Sequence, residues 1–409
     1  MNIPVNFLTW IIVLMIKFHW GATEAAPVGL LITIFSGLLV YKADITTIAV
    51  ESAKGIWSAL VILLIIWTAI LMYQVGDEAK AFIVIKEGMS KLLPNELLLV
   101  LAMGWIFESF LQGITGFGVP VAVGAPLLIG IGVAPMYAIV IPLLGQAWGN
   151  TFGTLGAAWD SLTVSAGVQV GSPEYYRAAF WAAVFLLVWD FVTGIIICWL
   201  YGKGKAVKKG LPAVLVMTII GGGGELVLSQ VNTTLSNFVP AVICLAVLML
   251  MGRMKMYRDE WRIEDSKIMV RTESTGETLD APKDMTLVQA FVPYVLLSLM
   301  TIIVLTVAPI NAFLSKVQLS ISVPETSTGY GFVNAASDAF SPIVPFTHAS
   351  MFLFLSAVIG LVYYKKHGWI QAGGTKAIFG RSITMTMPSG MAVIGLVIMS
   401  KIMSGTGQT

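Results

Sequence analysis

Gln112-Gly-Ile-Thr-Gly-Phe-Gly-Val-Pro120 opens a stretch, Gln112 to Gly156, that holds ten glycines and four prolines among apolar residues. A spanning helix keeps its backbone hydrogen-bonded internally, because hydrocarbon offers no substitute partners. So many helix breakers at membrane depth are tolerated only where the backbone is buried in protein or lines a wet cavity. In carriers such an interruption points to the substrate site. Close helix packing would account for the glycines, but not for Pro120, Pro126 and Pro135 in the same run. The stretch therefore reads as a cavity-lining, re-entrant type of unit.

The 409 residues around it are 57% hydrophobic and 11% charged, against about 25% charged in soluble domains. Apolar runs recur at Ile56 to Tyr73, Tyr175 to Tyr201, Phe238 to Met251, Phe291 to Val307 and Met351 to Tyr364. Spanning takes roughly 20 apolar residues, so about ten or eleven segments are expected. The fold class expected is an all-α polytopic membrane protein. A net charge of +2, dispersed along the chain, gives nucleic acid no footprint. Cys198 and Cys244 sit inside apolar runs and read as small core residues. His19, His348 and His367 are too far apart in sequence to suggest a metal site, and no cofactor is expected.

Phe7 to Ile16 reads as a short first membrane segment, since no Lys or Arg precedes it as a signal peptide requires. Lys203, Lys205, Lys208 and Lys209 follow a long apolar run and mark the cytoplasmic side. An in-and-out pair of segments then returns to that side at Arg253, Lys255 and Arg258. Gly252 to Asp284 carries seven basic and eight acidic residues and reads as a solvated connection. This divides the chain into an N-terminal membrane half (1–251), a polar cytoplasmic connection (252–285) and a C-terminal membrane portion (286–409). Ala79 to Leu93 has helical spacing of charges and reads as an interfacial or amphipathic loop helix. Gly331 to His348 is polar and broken by proline, a weaker echo of residues 112–156.

Ionisable residues inside apolar segments are costly and are functional or paired. Glu108, Asp160 and Asp190 are the proton-coupling candidates; Glu225, Asp338 and His348 are further polar insertions. For each acid the plain alternative is a hydrogen bond fastening two helices. No Lys or Arg falls in the middle of a clear apolar run; Arg177 is near a segment start and Lys17 near a segment end. An anion would then be held by backbone N–H groups at the positive end of a broken helix. Gly113, Thr115, Gly116, Phe117, Gly118, Gln146 and Asn150 are the substrate-binding candidates. Loss of hydration disfavours a buried carboxylate, so one of the acids could take a proton and let an anion enter without a net buried charge.

Gly116-Phe-Gly-Val-Pro120-Val-Ala122, Leu127-Leu-Ile-Gly-Ile-Gly132, Pro135, Tyr137-Ala138, Phe152-Gly153 and Gly156 together resemble the L-lactate permease family. The resemblance implies proton-coupled uptake of lactate or a related 2-hydroxymonocarboxylate such as glycolate, across the bacterial inner membrane. Three departures stand out. The family places Glu directly before the first glycine, where this chain has Gln112, with Glu108 one helical turn earlier. The family's Asn-Thr-Ala-Pro stretch reads Gln146-Ala-Trp-Gly149. Family members also continue through a second Gly-rich motif, so a fragment, or a split protein whose second chain supplies that motif, is expected.

The expected partners are a small organic anion, a coupling proton and the lipid bilayer. The runner-up reading is a sodium-coupled carboxylate carrier, since unwound carbonyls bind sodium as well; a channel ranks lower. An enzyme is not expected without His-Glu-x-x-His or Gly-x-Ser-x-Gly patterns. A nucleotide-driven pump is not expected without a phosphate-binding Gly-x-x-x-x-Gly-Lys-Ser/Thr loop.

Overall fold

Residues 15–116, 119–270, 282 and 284–408 are described by a computed structural model. Phe7 to Leu14 of the N-terminal segment, Phe117, Gly118 and residues 271–281 of the polar connection lie outside them. In chain order come α1 (Ala22–Leu39), α2 (Ile45–Glu78) and α3 (Ala81–Leu92). Then α4 (Glu96–Leu101) runs through a π-helical turn, Ala102–Ile106, into α5 (Phe107–Ile114). The broken unit follows as α6 (Val119–Ile129), α7 (Pro135–Gly145), two short 3-10 turns and α8 (Ala157–Ala166). After it come α9 (Pro173–Ser229), α10 (Phe238–Met251), α11 (Leu287–Ala290), α12 (Val292–Thr306) and α13 (Ala308–Leu314). Strands β1 (Leu319–Val323), β2 (Thr326–Ser327), β3 (Val333–Asn334) and β4 (Ser337–Ile343) precede α14 (Ala349–Lys366) and α15 (Gly374–Thr406).

Local sequence sets these ends. Asp44 accepts from the Thr47 amide (2.7 Å) and Asn95 from the Leu98 amide (3.0 Å), capping α2 and α4. Ser172 caps α9 by accepting from Tyr175 N (3.1 Å), with Pro173 in the first turn where its missing N–H costs nothing. Gly407 ends α15 with φ of 73°, the left-handed residue that commonly closes a helix.

The chain is an all-α polytopic membrane protein apart from two small antiparallel ribbons. Five helices among the described residues are long and apolar enough to cross: Ile45–Glu78, Glu96–Ile114, Pro173–Ser229, Ala349–Lys366 and Gly374–Thr406. A sixth forms if α12 and α13, bent by 90° at their junction, count as one span. The ten or eleven segments counted along the sequence include stretches that fold shorter than a bilayer needs. Thr23–Leu39, Val119–Ile129 and Phe238–Met251 are such pieces. α9 holds two apolar arms, broken at Gly202 and Lys203, the latter at φ 52°. The break falls in the lysine cluster that marks a loop between segments.

Two groups of helices make the body. α15 lies along α2 and also packs on α1, while α14 bridges α2 and α12. A Cβ on Gly55 would stand 2.6 Å from Ile398 Cα, and one on Gly360 2.7 Å from Pro293 Cγ, so small residues let these backbones meet. The second group surrounds the span Glu96–Ile114, of whose most apolar window 94% is buried, against 33% for α9. That span is the centre of its group, and α9 faces lipid. The two groups meet at α8, which touches both α2 and α15.

Gly331 to His348, the weaker polar region, is built chiefly as ribbon. β1 pairs with β4 (Leu319 opposite Ile343) and β2 with β3 (Thr326 opposite Asn334). The ribbons are pinned to the helices by Trp57 Nε1 donating to Ser341 O (3.0 Å) and Asn334 Nδ2 donating to Gly405 O (2.7 Å). Asp338 is exposed on β4, and His348 caps α14, its Nδ1 2.8 Å from Ser350 Oγ. The described part of the polar connection docks on the second group. Glu96 N donates to Trp261 O (3.1 Å), Ala134 N to Ile268 O (2.7 Å) and Val270 N to Gly132 O (2.7 Å).

Candidate functional site

The central span is itself irregular. Its π-helical turn at Ala102–Ile106 adds a residue to the coil, a device that recurs at functional sites. α7 crosses at this point: a Cβ on Gly145 would lie 2.8 Å from Trp105 Cα, and Ser109 Oγ donates to both Trp105 O (2.8 Å) and Gly145 O (2.9 Å).

Just beyond, Glu108 is fully buried and neither carboxyl oxygen has a partner among the described residues. It faces Gly124 of α6. A Cβ on Gly124 would overlap Glu108 Oε1 and stand 2.5 Å from Cδ and 2.9 Å from Oε2. Gly124 thus supplies the space that the carboxyl occupies. An uncompensated charge there would be expensive.

About two turns further on, the helix stops at Thr115 and Gly116. Gly116 has φ of 55°, and a Cβ on it would collide with Thr154 Oγ1 and stand 3.5 Å from Gln112 Nε2. Thr154 and Leu155 are themselves left-handed, φ 52° and 50°, a strained pair of the kind found at ligand sites. Gly153 brings its backbone within 2.8 Å, measured from a Cβ, of Gln112 O. Asn237 wedges between Gly113 and Gly149, whose Cβ atoms would stand 2.9 Å from Oδ1 and 2.7 Å from Nδ2. Its amide is fully buried and unpartnered among the described residues. Gln112, Gly113, Gly116, Gly149, Gly153, Thr154 and Asn237 therefore converge around the break.

The substrate-binding candidates divide accordingly. Gly113 and Gly116 line this convergence, and the Thr115 hydroxyl donates back to Leu111 O (2.8 Å) within its own helix. Gln146 ends α7 with Oε1 buried and unpartnered among the described residues, whereas Asn150 is exposed. Phe117 and Gly118 lie outside the described residues. Asn237 and Thr154 are additions that sequence reasoning missed. Asn237 directly precedes the apolar run Phe238–Met251 and carries no charge to mark it.

Asp190 is placed differently from Glu108. Its Oδ1 accepts from Trp105 Nε1 (2.9 Å) and its Oδ2 from Gly222 N (3.2 Å), tying both arms of α9 to the central span. Glu225, one turn beyond Gly222, is fully buried with both oxygens unpartnered among the described residues. Asp160 of α8 sits outside the spanning helices, in the wall of a cleft of about 260 Å³ with Tyr175 and Thr233. Burial lifts its carboxyl to about 7.

Two cations also enter the membrane body. α2 begins eleven residues before the apolar run Ile56 to Tyr73, so Lys54 is inside a spanning helix, and Lys401 is inside α15. Lys54 Nζ is 2.6 Å from Glu51 Oε1, with 9% and 4% of the two side chains exposed. Lys401 Nζ donates to Val164 O (3.0 Å), and both ammoniums lie over the Phe340 ring, 5.7 and 5.8 Å from its centre. Among the described residues, no group of three or more His, Cys, Asp or Glu could hold a metal ion.

A multi-pass helical membrane protein with a broken unit folded against the buried carboxyl of Glu108, unpartnered among the described residues, is the class this architecture defines. The family model described as L-lactate permease matches residues 3–409, and the chain belongs to the L-lactate permease family. It is 25% identical over 240 residues to the L-lactate permease of Halalkalibacterium halodurans, covering 57% of this chain and 44% of that one. It is 26% identical over 243 residues to the L-lactate permease of Escherichia coli K12 (58% and 41%). To the glycolate permease GlcA of the same organism it is 27% identical over 236 residues (57% and 39%). The chain spans about half the length of the curated relatives it matches. No solved structure matches it.

Proposed function

We propose that this chain carries a small organic anion, L-lactate or a related 2-hydroxymonocarboxylate such as glycolate, across the bacterial inner membrane by proton symport. The substrate class follows the names of its relatives, L-lactate permease and glycolate permease. The observation that carries the coupling is Glu108, fully buried, unpartnered among the described residues and about two turns before the helix break at Gly116. A proton on Glu108 removes a buried charge, and a monocarboxylate can then settle at the break without making the cavity anionic. The polar groups around Gly113, Gly116 and Asn237 offer hydrogen bonds to the substrate carboxylate and hydroxyl. Asp190, already satisfied by two donors, holds the helices in register, and Asp160 stands where a proton can be exchanged with water.

The test is uptake of labelled L-lactate into proteoliposomes, with and without an inward proton gradient, for the wild type and Glu108→Gln. The wild type accumulates lactate under the gradient, and the variant loses the gradient's effect. A Glu108→Gln protein that keeps full proton-driven accumulation removes Glu108 from the mechanism. Accumulation that follows a sodium gradient instead replaces proton coupling.

A further inference from the structure

The break in α9 forms more than a corner. A cavity of about 530 Å³ opens beside it, walled by Tyr137, Trp199, Tyr201, Lys203, Lys205 and Lys267. That volume lies within the range of small-ligand sites, about 300–1,000 Å³. Among the described residues Asp265 is the one acid in its wall, against three lysines. None of Lys203, Lys205 and Lys267 has a hydrogen bond or ion pair among the described residues. Lys209, four residues beyond Lys205, shows the contrast: it donates to Met256 O (2.6 Å) and lies 5.7 Å from the Tyr257 ring and 5.9 Å from that of Trp261.

The walls are fixed. Ser266 Oγ donates to Tyr201 O (2.6 Å), the Ile263 amide donates to Tyr201 Oη (3.3 Å), and Gly202 presses on the Ile263 side chain. The cavity also lies at a particular depth. The lysine cluster puts it on the cytoplasmic side. The arm of α9 leading to it exposes Phe185 (70%), Val188 (55%) and Trp199 (54%) along the lipid-facing surface. Indole rings favour the head-group level, and basic pockets between membrane helices on this side suit anionic head groups.

We propose that this cavity binds the phosphate head group of an anionic phospholipid of the cytoplasmic leaflet. The acyl chains lie along Phe185 and Val188, and the phosphate is held by Lys203, Lys205 and Lys267. This site is separate from the substrate break and adds a lipid requirement to the protein. Each lysine near an anionic membrane surface is worth about a fivefold change in binding. Removing all three therefore weakens capture roughly 100-fold.

The experiment is native mass spectrometry of the whole chain released from mixed micelles containing either phosphatidylglycerol or phosphatidylcholine. The wild type retains phosphatidylglycerol and not phosphatidylcholine, the triple variant K203Q/K205Q/K267Q retains neither, and K203R/K205R/K267R retains phosphatidylglycerol. The single variant K267Q, losing about fivefold, keeps the test open should the triple variant not fold. Equal retention by wild type and lysine-to-glutamine variants overturns the proposal. Displacement of phosphatidylglycerol by millimolar inorganic phosphate overturns the lipid assignment and gives the site to a free phosphate.

Discussion

Gly124→Ala changes one hydrogen to a methyl group, and its cost depends on a single neighbour. The three atoms nearest to that methyl all belong to Glu108: Oε1, which it would overlap, then Cδ at 2.5 Å and Oε2 at 2.9 Å. Overpacking of this kind costs about 1–3 kcal/mol. Alanine inside a helix gains roughly 0.8–1 kcal/mol over glycine, so the net loss in the wild-type background is about 0–2 kcal/mol. In a Glu108→Ala background those three atoms are gone and only the helix gain remains. Gly124→Ala then becomes neutral or stabilising by up to about 1 kcal/mol. The sign of the effect reverses, with a coupling energy of about 2 kcal/mol between the two positions. Denaturant unfolding in detergent micelles, followed by tryptophan fluorescence on all four proteins of the cycle, measures it. Equal destabilisation in both backgrounds would refute the placement of the Glu108 carboxyl against α6. Lactate uptake by Gly124→Ala should fall as well, because the carboxyl must leave its place.

Three other consequences are as direct. Lys54→Met leaves Glu51 charged and buried, and should destabilise by about 3–5 kcal/mol, while Lys54→Met with Glu51→Gln recovers most of the loss in the same unfolding assay. Trp105→Phe removes the donor to Asp190 Oδ1 and should cost about 1–3 kcal/mol; no loss would mean that Asp190 does not tie the helices. Asp160 has a folded-state value of about 7, above the ordinary 3.8. The folded protein therefore holds a proton that the unfolded chain has lost, and stability declines as pH rises from about 4 to 7 and is level above that. The slope has an upper bound of about 1.4 kcal/mol per pH unit, reduced here by the partial exposure of the carboxyl. Melting curves of Asp160→Asn should lack that decline; an identical pH profile would contradict it.

The class of the protein and the place of its break were legible in the sequence because both are local. Gly116 needs a left-handed backbone, and hydropathy alone separates lipid-facing runs from polar connections. The acid at position 108 was legible as a charge in an apolar run, and its isolation followed from the run itself. Asn237 was not legible, because its significance is that two glycines, Gly113 and Gly149, far from it in sequence, close on its amide. Lys54 was missed because the apolar run starts at Ile56 while the helix starts at Ile45, capped by Asp44. The hydrogen bond that Asp190 accepts from Trp105 was not legible, because the tryptophan is 85 residues away. Of the ribbon region only Gly331 to His348 stood out, as polar and proline-broken, since the ribbons are held by contacts with α2 and α15. Among the described residues, three of the apolar runs form shorter helices, Thr23–Leu39, Val119–Ile129 and Phe238–Met251, a difference in length that hydropathy along the sequence does not show.

The most direct test of the central claim is the proton that accompanies the substrate. Proteoliposomes loaded with a pH-sensitive dye and given external L-lactate, with no imposed gradient and with a proton ionophore as control, report it immediately. Symport through Glu108 predicts lumenal acidification by the wild type that saturates with lactate concentration and is absent in Glu108→Gln. Lactate entry without acidification, or acidification that Glu108→Gln retains in full, would contradict it.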